Sequence, residues 1–188
     1  DDDIVYPPNY VQDHLEFLSK FDDRAIVSLH GNILPRTPFS PMWRHRRYIK
    51  YTCLSPLDFH YQTNLGGQGV SVRNTNIVKI DTNQFKYFNM DDIEVGLQAQ
   101  KQGIPIIVRK HRGRSEYLGY NKPKVKTLYE QHMDNDSKQV ERANSIKWEM
   151  PPITHVGKVS VLVAAWKVEK YLDEAIYSIL DQRLPIGM

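Results

Sequence analysis

The stretch from Asn89 to Val108 constrains this chain most, because it carries its own start, stop and successor. Asn89 suits a helix N-cap, and Asp91 and Asp92 fall in the first turn, where the helix dipole favours negative charge. Ile93 and Leu97 form part of an inner face, Gly103 fits the position just past the end, and Pro105 forbids continuation. A helix over 90–102 is predicted, followed at once by Ile104 to Val108, an apolar run of strand length. A helix leading straight into a buried strand is the building unit of an α/β fold.

The rest of the chain fits around that unit. Val11, His14, Leu15, Leu18 and Phe21 recur at helical spacing, so residues 8–21 read as an amphipathic helix entered through Pro7-Pro8. Ala25 to Leu29 reads as a short strand, and residues 31–62, rich in Pro, aromatic and basic residues, as a long irregular excursion. Gly66-Gly67-Gln68-Gly69 predicts a tight turn into a strand over Val70 to Arg73. Residues 127–148 are polar and read as helical, ending in Trp148. After Met150-Pro151-Pro152 the character changes: Val159 to Val163 is strand-like, and Leu172, Ala175, Ile176, Ile179 and Leu180 mark an amphipathic helix over 169–182. The expected organisation is one domain portion over 1–150, a linker over 151–156, and the strand and helix opening a second α/β domain over 157–188. The chain opens on Asp1 in mid-motif and closes on Pro185-Ile186-Gly187-Met188, so it reads as a piece of a longer polypeptide.

Composition removes several classes. A net charge of +3 over 188 residues is too small for a dedicated nucleic-acid binder. Cys53 is the single cysteine, so no intramolecular disulfide forms. No apolar run reaches the roughly 18–20 residues that span a bilayer, and no basic-then-apolar leader opens the chain. A soluble cytoplasmic protein is expected.

Several clusters could carry chemistry. Asp1-Asp2-Asp3 is either a solvated acidic end or an oxygen-ligand set for Mg²⁺ or Mn²⁺. Asp91 and Asp92 either stabilise a helix start or offer a general base. Gly66, Gly67 and Gly69 either make a turn or let backbone approach a sugar or phosphate. The basic runs Arg44-His45-Arg46-Arg47 and Arg109-Lys110-His111-Arg112 are either solvated or suited to phosphate or an anionic chain. Trp43 and Tyr48 either stack on sugar rings or pack a loop.

Taken in order, these segments resemble the family 2-like GT-A glycosyltransferases. Asp1-Asp2-Asp3-Ile4-Val5-Tyr6-Pro7-Pro8 is similar to the family's DxD motif and helix entry, and Gly66 to Arg73 to its glycine-rich acceptor-side segment. Asn89-Met90-Asp91-Asp92-Ile93 resembles the segment carrying the catalytic acid, with Ile104-Pro105-Ile106 following as in that family. Val159 to Leu172 is similar to the first strand, loop and helix of another such enzyme, with Ala164-Ala165-Trp166-Lys167 standing where "P-T-Y-N" is usual. Two transferases in series resemble the bifunctional bacterial capsular polysaccharide polymerases, such as the heparosan, chondroitin and hyaluronan synthases.

The resemblance implies a GT-A fold, present as the second half of one domain and the beginning of the next. It implies a metal-dependent hexosyltransferase moving sugar from a UDP-sugar to an oligo- or polysaccharide acceptor. Asp1 and Asp3 would hold Mn²⁺ or Mg²⁺, with His111 a further ligand. Asp2, Arg109 and Arg112 would meet the donor diphosphate. Asp92, or Asp91 beside it, would take the acceptor's proton, and a single base implies inversion at the anomeric carbon. Gly67, Gly69 and Arg73 would face the acceptor; Ala164, Trp166 and Glu169 would contact nucleotide in the second domain. The resemblance also implies a bacterial parent protein that joins the inner face of the membrane or a capsule export complex, and residues 1–150 inactive without their uridine-binding strands. An interaction domain, or another Mg²⁺-dependent phosphate-handling enzyme, is the alternative.

Overall fold

The computed structural model describes residues 4–34, 49–67, 70–87, 90–113, 119–120 and 137–153. In chain order the elements are β1 (Ile4–Val5), α1 (Tyr10–Leu18), β2 (Ile26–Ser28), β3 (Gly31–Ile33), β4 (Ile49–Tyr51), β5 (Tyr61–Thr63), β6 (Leu65–Gly66), β7 (Ser71–Arg73), α2 (Asp91–Lys101), β8 (Ile106–Val108), β9 (Gly119–Tyr120) and α3 (Ser137–Asn144). The class is mixed α/β, as expected.

The central sheet runs β5-β8-β2-β7. β8 lies parallel to β2, with Ile26 opposite Ile106 and Ser28 opposite Val108. β7 is antiparallel on the other side of β2, and β5 is antiparallel on β8. β2 and β8 are buried at every position, as strands covered on both faces must be. Alternation divides their side chains between two layers. Val27 and Ile107 pack under Phe17, Leu18 and Phe21 of the α1 segment. Ile26 and Ile106 pack under Val95 and Ala99 of α2. Each fully buried aliphatic or aromatic side chain contributes roughly 1.5–3 kcal/mol, so these two layers fix the fold.

The helix–strand unit forms as its sequence dictates. α2 ends in a Schellman motif: Ile104 N–H donates to the Ala99 carbonyl at 2.9 Å and Gly103 N–H to that of Gln100 at 3.0 Å. Gly103 adopts φ +67°, the left-handed conformation that favours glycine. At the other end the N-cap is Met90, with no side-chain cap bond; Asn89, the expected cap, lies outside the described residues.

Three expectations need correction. Residues 31–62 are not irregular throughout: β3 and β4 fall within them, β5 begins there, and a second sheet runs β4-β3-β6. The buried face of α1 is Tyr10, His14, Phe17 and Leu18, while Val11 and Leu15 are 56% and 45% exposed. The aromatic residues displace the aliphatic ones because Phe17 and Phe21, rings 5.3 Å apart, fill the space over Val27. The described helix near the end spans Ser137–Asn144, stopping short of Trp148. Trp148 instead folds back, its indole N–H donating to the Ala143 carbonyl at 2.9 Å beside Leu34, Leu65, Met90 and Ile93. No helix among the described residues is long and apolar enough to cross a membrane.

Candidate functional site

The basic run after β8 is a built feature rather than a solvated tail. Arg109 N–H donates to the Ser28 carbonyl at 3.0 Å, and Leu57 and His111 exchange backbone bonds of 2.8 and 3.1 Å. Between them, Lys110 N–H donates to His60 Nδ1 at 2.8 Å, and Gly113 N–H to His111 Nδ1 at 3.0 Å. Gly113 has φ +67°, and a Cβ there would sit 2.9 Å from Pro56 N and 3.0 Å from the Leu54 carbonyl. Every residue from 109 to 111 is therefore held through its backbone, with the Lys110 side chain exposed and the His111 ring buried.

That wall borders a cleft of about 610 Å³, within the range of small-molecule sites. α1 supplies Asp13, Glu16 and Phe17, the turn after it Lys20, and residues 56–60 supply Pro56, Leu57, Asp58 and His60. Arg109, Lys110, His111 and Arg112 complete the lining. The sequence-predicted residues Arg109, His111 and Arg112 are thus brought together. Asp13, Glu16 and Lys20 were not anticipated, although their spacing of three and four puts them on one helix face. His60 gave no sequence signal, since it lies in the region expected to be irregular.

His60 is 4% exposed and its ring lies 4.4 Å from that of Phe17. Burial first, then Lys110, Lys20 and Arg109, push its pKa down to about 4, so the ring is neutral at pH 7. Because Nδ1 accepts the Lys110 N–H, the proton of the neutral ring belongs on Nε2. That buried nitrogen has no hydrogen-bond partner among the described residues.

The acidic start of α2 lies elsewhere. α2 covers the Ile26 and Ile106 layer, whereas α1 and the cleft lie on the Val27 and Ile107 layer, and Asp91 and Asp92 do not line the cleft. Ala99, near the end of α2, packs at the starts of β2 and β8, and Ile93 packs on Leu34 and Leu65 past the end of β2. The first turn therefore points to the carboxyl-end side of the parallel pair. Asp92 accepts the Ile93 N–H at 2.9 Å. Burial of its carboxyl, and then Asp91 nearby, raise its pKa against that hydrogen bond. Two residues on, buried Glu94 is held by Arg142 through two 2.7 Å bonds.

Gly67 sits at the same end of β2: its N–H donates to the His30 carbonyl at 2.8 Å and its carbonyl accepts from Ser71 Oγ at 2.6 Å. Arg73 pairs with Ile26 at the opposite end, so the glycine and arginine of one sequence segment are separated along the strand. Asp1, Asp2, Asp3, Gly69, Ala164, Trp166 and Glu169 lie outside the described residues. Among the described residues no group of three or more His, Cys, Asp or Glu could hold a metal ion. His111 has Nδ1 engaged by Gly113, which leaves Nε2 as its ligand-capable nitrogen. No protein-family model and no curated protein sequence matches this chain.

Proposed function

We propose that this chain is the catalytic portion of a GT-A glycosyltransferase that moves a hexose from a UDP-sugar to a saccharide acceptor. What supports this reading is that the glycine segment and the acidic start of α2 both lie toward the Ser28 end of β2, not the Ile26 end. Gly67 is bonded to His30 there, and the acidic first turn of α2 approaches the same side through Ile93. Ligands of open α/β sheets bind outside the carboxyl ends of their strands.

In this reading Asp92 is the base. Its carboxyl is desolvated, which raises its proton affinity, and a base of raised pKa takes a hydroxyl proton more readily. Asp1 and Asp3 would hold the divalent cation, which neutralises the diphosphate leaving group when bound. Gly67, packed against His30 with no room for a side chain, would shape the acceptor side. The test uses the intact protein that carries this chain. UDP binding measured by calorimetry should strengthen with Mn²⁺, and Asp92→Asn should lower transfer by at least about 10²-fold while leaving UDP binding unchanged. UDP binding that is absent or indifferent to metal would sink the transferase reading in favour of an interaction domain.

A further inference from the structure

We infer that Arg142 is a positioning residue for Asp92, acting through Glu94 to fix the first turn of α2. The role of Asp92 as a base rests on the transferase reading; the clamp on its turn does not. That turn needs outside support. Its N-cap, Met90, makes no side-chain cap bond, although the first amide groups of a helix lack partners within it. Three acids, Asp91, Asp92 and Glu94, share the turn, and their repulsion offsets part of what the helix dipole contributes.

The α3 segment supplies the support. The Glu94 side chain is 2% exposed, and its carboxylate oxygens accept from Arg142 Nε and Nη2, both at 2.7 Å. Such a two-point bond fixes orientation as well as distance, which a lysine cannot do. Met90, at the other end of the turn, packs with Val140, Ala143 and Trp148. Between these anchors the turn closes, Glu94 N–H donating to the Met90 carbonyl at 3.1 Å. Asp91 and Asp92 therefore lie between two residues that the α3 segment holds. The segment is also tied to α2 further along. The Gln100 side chain donates to the Lys147 carbonyl at 2.8 Å and accepts from Glu149 N–H at 3.0 Å. Arg142 thus acts from a fixed base, and Asp92 stays out of water because its turn is held.

Among the described residues, the titratable groups about this turn are Asp91 and Glu94 on α2, Arg142 on α3, and Tyr87 with Lys86 over its ring. Arg142→Lys preserves all of these charges and gives up only the two-point bond, so a change at Asp92 reports position. The Asp92 carboxyl is titrated by ¹³C NMR in the full chain, and transfer from each UDP-hexose that the wild type accepts is followed in the intact protein. Arg142→Lys should bring the Asp92 pKa down toward the ordinary carboxylate range and move the acid limb of kcat to lower pH. It should lower kcat about tenfold or more, with the donor KM unchanged. Val140→Ala loosens the Met90 anchor without touching a charge and should shift the Asp92 titration the same way. Gln100→Ala loosens α3 away from the turn and should leave both readouts in place. An Asp92 titration that neither Arg142→Lys nor Val140→Ala moves, or that Gln100→Ala moves as much, overturns the proposal. Absence of transfer by the wild type would remove the transferase reading alone, because the carboxyl titration still decides whether Arg142 holds Asp92.

Discussion

Two short charge runs, Asp91-Asp92 and Arg109 to Arg112, look alike in sequence and are used in opposite ways. The acids begin a helix, and burial of the Asp92 carboxyl raises its proton affinity. The bases follow a strand, and tertiary contacts grip their backbone while the side chains stay at the edge of a cleft. In the first case the fold alters a group's chemistry; in the second it fixes a group's position. Glu94 sharpens the contrast, because it is more deeply buried than Asp92 yet has a cation to itself. Burial alone does not determine what a carboxylate does; its partner does.

Five changes test that contrast, beginning with the largest expected effect. Asp92→Asn should lower transfer by the intact protein on the order of 10²- to 10⁴-fold, measured by steady-state kinetics. Its effect on stability should run the other way. With a raised folded pKa, native Asp92 holds a proton that the unfolded chain has released. Its stabilising effect therefore declines as pH climbs from the ordinary carboxylate range through the folded pKa. Asp92→Asn should flatten that decline in urea titrations at successive pH values. Arg142→Ala leaves Glu94 charged and buried and should cost about 3–5 kcal/mol in the same titrations; a cost below about 1 kcal/mol would show the pair to be dispensable.

The two left-handed glycines give a matched comparison. Gly103 has open space where a side chain would go, so Gly103→Ala should cost only the strain of its backbone, about 1 kcal/mol. Gly113→Ala adds collisions with the backbone of 54–56 and should cost about 3 kcal/mol. It should also loosen the basic run, visible as faster amide exchange at Lys110 and His111. Equal costs would mean the run is not pinned there. The smallest effect is on acid stability. His30 and His60 both have folded pKa values near 4, against an ordinary 6.5. Neutral rings suit the fold, so stability should fall as pH drops from 6.5 toward 4. His60→Asn should shrink that fall without removing the share due to His30.

The α2–β8 unit was legible in sequence because its signals are local: first-turn acids, a glycine in the left-handed position, a proline and an apolar strand. The region 31–62 was not, because β3, β4 and β5 are only three residues each. Such short runs carry no readable period, and their pairing with β6 and β8 is decided by distant partners. The α1 face was misjudged for a related reason, since Val11 and Leu15 have the right spacing but the wrong side of the helix. Of the site, Arg109, His111 and Arg112 were found as a basic run. Asp13, Lys20 and His60 were not, because only the folded chain brings α1 beside residues 56–60. The separation of Gly67 from Arg73 along β2 likewise comes from strand register, which the glycine cluster does not encode.

The parallel pairing of β2 with β8 also has a consequence for how the chain comes into being. Ile26 meets Ile106 only after all of the intervening sequence has been made. Until then β2 can pair only with β7, which arrives earlier. On a ribosome the central strand therefore waits with one apolar edge open, and pairing so distant in sequence is intrinsically slow. That interval is when such an edge is most apt to join another chain. Synthesis rate and chaperone supply, rather than native stability, should then govern how much of this protein reaches its folded form.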